Sequence, residues 1–518
     1  MLEAPDGGNA ICAGGLNLFV PDAQMSPSCL QYISYRGQNQ VAIQQTNANA
    51  MLNGGLFALP AGDVKFAAGL SWRNEKYNDV IDHEASAGNL PGELSGPSTG
   101  GERDVQEYFG ELNAPLLADL PWIKNLEADV GYRRSKYSGA KGVDSYSGNL
   151  TWDVNNLLTL RGGYSRAIRA PSLLDLHASG VQASLRLGAP SATGTGGDPC
   201  DVRSSFRLGP NGANLRTLCQ ALGVPAPAID SYTSNAQTIF GQTHGNPSLQ
   251  NEFSDTYTVG LVLNSPFSNP WLSGLRATFD GFDIRIEDAI GQLPLTQALA
   301  QCYNLDGVSN PSYSAAAPAC AFFPRDTTGQ ITRLDVPLLN LAKYQTRGVD
   351  MQLDWALDLA DAGLGEIGRF NFNLVETYLD SFVVQQTPTS SALDYVGTSQ
   401  SPIDPNGRPS ILPHWRSVAT FTHTIGPFES SLRWRYVGAV DDASIVTNPT
   451  STTPGAKAYN QVDGSFAWNV SADSELRFGV NNIGNAQPRI LGGVIGTTDN
   501  QSYDAVGRTY YVALRHQF

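Results

Sequence analysis

Long hydrophobic runs are missing from this chain. No stretch approaches the roughly 18 to 20 apolar residues that a membrane-crossing helix needs, so helical spans are excluded. Met1-Leu2-Glu3-Ala4-Pro5-Asp6 has no basic segment followed by an apolar one and is not an export signal. Charge is scarce: Asp, Glu, Lys and Arg make up 16% of 518 residues, with a balance of −15. That balance excludes nucleic acid, whose phosphates demand basic surface. Catalytic signatures are lacking too. His83, His177, His244, His414, His423 and His516 are scattered, with no H-E-x-x-H, G-x-S-x-G or phosphate-loop pattern. The expectation is no enzyme, no metal and no cofactor. Gly194-Thr195-Gly196-Gly197 is glycine-rich but lacks a strand-to-helix setting, and reads as loop.

Cysteine is sparse but patterned. Six residues form three local pairs, Cys12 with Cys29, Cys200 with Cys219, and Cys302 with Cys320, each 17 to 19 positions apart. None is C-x-x-C, and no histidine pair stands nearby at zinc spacing. The pairs read as three disulfide-closed loops in an oxidising compartment; six free thiols are the alternative.

The chain has 53 Gly, 20 Tyr and 41% hydrophobic residues, too apolar for disorder. What dominates is alternation. At the C-terminus Tyr510, Val512, Leu514 and Phe518 share one face, and Thr509, Tyr511, Ala513, Arg515 and Gln517 the other. Period 2 over about ten residues is the signature of a membrane β-strand, though a half-buried soluble strand has it as well. It recurs around Leu476, Trp468, Trp434, Met351, Leu261, Leu160 and Phe66. Between Phe279 and Phe282 the phase flips, which predicts a bulge at Gly281. The polar face carries Lys65, Arg73, Arg161, Arg285, Arg433, Arg435, Arg477 and Arg515 with Asp350, Asp354, Asp463 and Glu475. These read as solvated lumen polarity more readily than as a selective permeation wall.

The connections alternate between short and long. Short ones fall near 60–62, 154–157, 266–274, 358–367, 426–427 and 471–474; long ones span about 170–251, 291–336 and 486–506. Outer-membrane barrels join their strands by short periplasmic turns and long extracellular loops. All three cysteine pairs fall on the long side. Trp122, Trp152, Trp271, Trp355 and Trp468 lie towards the short turns, and Trp72 and Trp415 towards the long loops, as two aromatic girdles would. Residues 215–222 and 295–303, beside Cys219 and Cys302, have short helical patterns. The reading is an all-β, antiparallel transmembrane β-barrel of about 15 strands, part of a probable 22-stranded barrel incomplete at its N-terminus. Residues 1–47 form an extracellular loop before the first strand, and residues 48–518 the partial barrel, with large loops at 170–251 and 291–336.

Several segments, in chain order, resemble TonB-dependent outer-membrane receptors. They are Leu59-Pro60-Ala61-Gly62-Asp63-Val64 with Gly69-Leu70-Ser71-Trp72-Arg73, the strand 105–117, Tyr164-Ser165-Arg166-Ala167-Ile168-Arg169-Ala170-Pro171-Ser172-Leu173, Asn246-Pro247-Ser248-Leu249, Asn481-Asn482-Ile483-Gly484-Asn485 and the terminal Phe518. The resemblance implies a receptor in outer-membrane lipid that takes up a scarce small-molecule nutrient and is driven by the TonB complex. It also makes Phe518 the C-terminal assembly signal. The family's N-terminal plug and TonB-recognition segment have no counterpart here. The alternative is a plugless porin-like or surface-adhesion barrel.

Overall fold

A computed structural model describes residues 27–90, 96–138, 142–388, 390–399, 410–492 and 498–517. Cys12 and Phe518 lie outside these residues. Eighteen strands follow in chain order: β1 (Gln40–Leu59), β2 (Gly62–Val80), β3 (Thr99–Leu120), β4 (Ile123–Tyr137), β5 (Val143–Asp153), β6 (Leu158–Arg169), β7 (Val181–Arg186), β8 (Thr238–His244), β9 (Glu252–Asn264), β10 (Leu275–Gln292), β11 (Leu334–Asp358), β12 (Arg369–Gln385), β13 (Leu393–Asp394), β14 (Trp415–Ile425), β15 (Phe428–Val437), β16 (Tyr459–Ser471), β17 (Ser474–Asn481) and β18 (Thr509–His516).

Fifteen of them make one antiparallel wall. Each pairs with the next from β1 to β6, β6 pairs with β9, and the ladder continues through β12, β14 and on to β18. The strand count therefore agrees with the alternation. The first strand begins at Gln40, earlier than the expected start near residue 48. Among the described residues β1 pairs only with β2, and β18 only with β17. Both outer edges thus present unpaired N–H and C=O groups.

Alternation sorts the wall into two faces. Tyr510, Val512 and Leu514 on β18 are 73%, 66% and 73% exposed and share a face with Phe478, Phe466 and Leu432. Large apolar side chains left in the open on one continuous face are what a lipid-facing surface requires. Trp152 Nε1 donates to Trp122 O, and Trp355 Nε1 to Trp271 O, both at 2.9 Å, pinning aromatics at the short-turn end.

The expected bulge at Gly281 is absent. β10 pairs with β9 without a register shift from Arg276 to Glu287, and with β11 unbroken to Ile286. Leu275, Ala277, Phe279, Gly281, Asp283 and Arg285 therefore share the apolar face, and Arg285 leaves the set expected on the polar face. The hydrophobic phase flips because the strand outruns the apolar band, not because the backbone turns over.

Every connection at one end is short: 60–61, 121–122, 154–157, 265–274, 359–368, 426–427 and 472–473. At the other end are 81–98, 170–251, 293–333, 386–414, 438–458 and 482–508, with the five residues 138–142 as a short exception. The main buried core lies here, in the loops rather than the wall. Leu185, Leu215, Leu218, Ile229, Tyr303 and Phe323 anchor one cluster drawn from both 170–251 and 293–333. A smaller cluster, including Ile411, Val440, Tyr459, Leu491 and Tyr503, joins the last three long connections.

Candidate functional site: a cap built from two loops

The two longest connections fold together into one cap. In the first, Ser172 caps the helix Leu173–His177 and Asp175 answers as a capping box. This turn carries the chain across the polar face of the wall. There Arg103 donates to Pro171 O, and Ser179 Oγ donates to Asp79 Oδ2 at 2.5 Å. The ring of His177 lies against Gly101, where an added Cβ would stand 2.3 Å from the imidazole carbon Cδ2. Further on, the helix Gly212–Ala221 presents Leu215, Leu218 and Cys219 to the core. The helical pattern at 215–222 falls on this helix. In the second connection the helix Leu295–Tyr303 matches the expected span and buries Ala298, Leu299, Cys302 and Tyr303.

Cys200 and Cys219 stand at disulfide distance, Sγ–Sγ 2.00 Å, one pair within the first loop. Cys302 and Cys320 do the same at 2.05 Å within the second. The partner proposed for Cys29, Cys12, lies outside the described residues.

No motif or spacing points to what ties the two loops. The side chains of Asp198 and Arg325 are wholly buried and meet in a bidentate pair, Nη2–Oδ1 2.7 Å and Nη1–Oδ2 2.7 Å. Tyr232 Oη donates to Asp198 Oδ2 at 2.9 Å, and Arg325 also reaches Gly329 O at 2.6 Å and Tyr303 Oη at 2.8 Å. Both tyrosine rings lie within 6 Å of the guanidinium, at 5.7 and 5.8 Å. Burial pushes the Tyr303 and Tyr232 phenols up, so both remain neutral. Asp198 and Tyr232 come from the first loop, Arg325 and Tyr303 from the second. A buried charge pair of this kind holds only if both partners stay.

A strand hairpin adds a second tie. β7 pairs antiparallel with β8, and β8 pairs in parallel with the first residues of β11, Gly241 opposite Leu334. An added Cβ at Gly241 would stand 2.1 Å from Leu334 O, so only glycine allows this approach. At the end of β8, His244 Nδ1 faces Gly245 O at 2.7 Å and Nε2 faces Asp335 at 3.2 Å.

Between cap and wall lie two adjoining cavities. One, of about 480 Å³, is lined by Thr99, His177, Gln242, His244 and Asp335 among others. The second, of about 420 Å³, is lined by Arg103, Tyr137, Leu173 and Gln250, and shares Leu176, His177 and Pro247 with the first. Both offer mixed polar and apolar walls, the usual lining of small-molecule sites. Among the described residues no cluster of three His, Cys, Asp or Glu side chains is placed to hold a metal ion.

Below the cap the polar face holds the other charges expected there. Arg161 reaches across β9 to Asp280, with Nε–Oδ1 2.8 Å and Nη2–Oδ2 2.5 Å. Gly260 lies between them, and an added Cβ there would stand 2.0 Å from Asp280 Oδ1. Arg477 binds both Glu475 and Glu429, and Arg73 and Arg103 share Glu75. Arg73, Arg103, Arg161 and Arg477 are thus each met by a neighbouring acid, as a wetted wall requires.

Comparison with known proteins agrees with this geometry. The sequence model described as TonB dependent receptor-like, beta-barrel matches residues 16–483. A search of curated proteins finds no match. Among solved structures, the siderophore receptor PirA from Acinetobacter baumannii aligns with TM-score 0.53 at 15% identity, covering 98% of this chain and 57% of that one. A mutant of the ferric enterobactin receptor PfeA from Pseudomonas aeruginosa, in complex with enterobactin, aligns with TM-score 0.56 at 16% identity, covering 92% and 55%. The hemophore receptor HasR from Serratia marcescens, in complex with its hemophore HasA and heme, aligns with TM-score 0.51 at 14% identity, covering 93% and 60%. The chain thus spans between half and two thirds of the length of these neighbours. With the family model matched over residues 16–483 and the strand ladder in agreement, this chain belongs to the TonB-dependent receptor β-barrel family.

Proposed function

We propose that the chain forms the wall and ligand-binding cap of an outer-membrane receptor that imports a scarce small-molecule nutrient under the drive of TonB. The observation that carries this reading is the fusion of two long connections into one cored cap folded over the polar face of the wall. Loops of this length are functional or disordered, and a buried core argues against disorder. In the proposed orientation the cap faces the exterior and the short turns the periplasm. An iron chelate or heme is the favoured cargo class, since the named ligands of the solved neighbours are enterobactin and heme. Two one-sided edges and coverage of 55–60% of those neighbours support a wall of 22 strands, of which fifteen are present here.

Uptake by a deletion strain tests the proposal. Radiolabelled ferric siderophores and heme, with cobalamin, nickel and oligosaccharides for comparison, are supplied at limiting concentration. Loss of uptake of one ligand, dependent on TonB, is the expected result. Undiminished uptake of every ligand tested would overturn it.

A further inference from the structure

Among the described residues four carboxylates are buried, those of Asp79, Asp198, Asp201 and Asp499. Asp198 pairs with Arg325 and Asp201 with Arg203. Asp499 has no such partner, but backbone N–H groups of Ile411 and Gln501 satisfy its two oxygens. Asp79, at the cap-side end of β2, has neither remedy. Tyr77 Oη donates to its Oδ2 at 3.0 Å, and Ser179 Oγ donates to the same oxygen at 2.5 Å. Its Oδ1 has no partner, and within the described residues no Lys, Arg or His pairs with it. A buried carboxylate is ordinarily bonded at both oxygens and offset by a positive charge.

Asp79 stands opposite Thr99 across β2 and β3, so both side chains leave the sheet on the same side. Thr99 and Ser179 line the cavity of about 480 Å³ between cap and wall. Its lining includes His177, His244, Gln242 and Asp335, and holds no Lys or Arg. Asp335 is already met by His244 Nε2 at 3.2 Å and Arg333 Nη2 at 3.3 Å. The unspent negative charge is therefore that of Asp79, one side chain behind the cavity lining. Ser179 connects the two. Its hydroxyl gives its proton to Asp79 and keeps its oxygen as an acceptor for a donor inside the cavity.

We propose that this cavity seats an ammonium group of the imported ligand, held by Ser179 with the charge of Asp79 behind it. The inference rests on the nutrient-receptor reading and narrows its cargo to chelates with a positively charged arm. The ammonium N–H donates to Ser179 Oγ, whose own O–H donates to Asp79, so a single hydroxyl joins the two charges. Bonds of this charge-assisted kind are strong, and stronger away from bulk water. Leu176 and Pro247 on the same cavity lining offer apolar contact to the methylenes of such an arm. A polyanionic chelate would meet no Lys or Arg there and would face the charge of Asp79. Asp79 is thus a positioning residue that acts through Ser179.

The test titrates the receptor, extracted from outer membranes in detergent, with a ferric trihydroxamate ending in a primary amine. The same chelate with that amine acetylated is the comparison. Both are neutral at the metal, so they differ in charge only at the arm, and quenching of tryptophan fluorescence reports binding. The amine form is expected to bind at least tenfold more tightly, the scale of a charge-assisted bond. Asp79→Asn keeps the shape and an acceptor for Ser179 but removes the charge. It should bring the amine form to within about twofold of the acetylated one, whose affinity stays where it was. Ser179→Ala should do the same. A misfolded cap would weaken both forms alike, so the preference between them is the decisive quantity. Equal binding of the two chelates, binding of neither, or an unchanged preference in Asp79→Asn overturns the inference. The nutrient-receptor reading falls separately, by undiminished uptake in the deletion strain.

Discussion

Arg325 has the most to lose at the level of single residues. Arg325→Met leaves Asp198 buried and charged with no cation beside it, at a cost of about 3–5 kcal/mol. The cap should open to protease across residues 170–251 and 293–333 while the wall keeps its β-sheet circular dichroism. Adding Asp198→Leu to the same chain should restore much of the protection, because an apolar pair of similar volume is nearly neutral there. If Arg325→Met resists protease as the parent does, the pair is not what joins the loops. Gly260→Ala makes a different demand. The new methyl collides with Asp280 Oδ1 and parts it from Arg161, destabilising the wall by about 1–3 kcal/mol in chemical unfolding. Asp280→Gly in the same chain removes the collision. Acid should act on the cap as well. Burial pushes the Asp201 carboxyl up, but bonds from the Arg203 side chain and from the backbone N–H groups of Arg203 and Ser234 outweigh it and hold it below its ordinary 3.8. The Arg216 guanidinium does the same for Asp230. Folded values below the unfolded ones stabilise fully above about pH 4, and that support drains as pH falls from 3.8 through the lower folded values. Protease sensitivity of the cap should therefore rise below pH 4, and a flat profile down to pH 2 would refute this.

The elements show what could be read from the sequence and what could not. Strand alternation is local and periodic, so the fifteen wall strands, the short-turn end and the helix Leu295–Tyr303 were legible. Gly281 misled because a change of solvent along a straight strand mimics a change of backbone phase. That mistake carried Arg285 to the wrong face. The hairpin of β7 and β8 went unread inside a long loop, although Val181, Ala183 and Leu185 alternate with Gln182, Ser184 and Arg186. The Asp198–Arg325 pair was beyond reach, since 127 positions separate its members and neither belongs to a motif. The cysteine-closed loops permit a test at this scale. Replacing Cys200 and Cys219 by Ser removes a closure across 19 positions, a loss of about 3 kcal/mol to the cap. Protease protection of residues 181–244 should fall, with no change in the melting of the wall. Unaltered protection would show that the hydrophobic cluster alone orders the loop.

At the scale of the molecule, the described residues form a wall with two bare margins. In lipid an unpaired strand edge leaves several polar groups per strand without partners, each costly. This chain, folded alone into detergent micelles, should therefore associate edge to edge and sediment as dimers or larger species. Supplying the flanking strands in one polypeptide should yield monomers. A monodisperse monomer of the chain by itself would mean that β1 and β18 find each other. The wall also differs from a soluble domain in where its stability resides. Hydrogen bonds from strand to strand carry it, while burial of apolar side chains is concentrated above, in the cap.

That division is bridged where β8 lies along the first residues of β11. β11 runs 25 residues from there to the far end. Whatever grips the canopy therefore tugs on a stave of the cask itself, and a load applied at the rim has a covalent path to the opposite one.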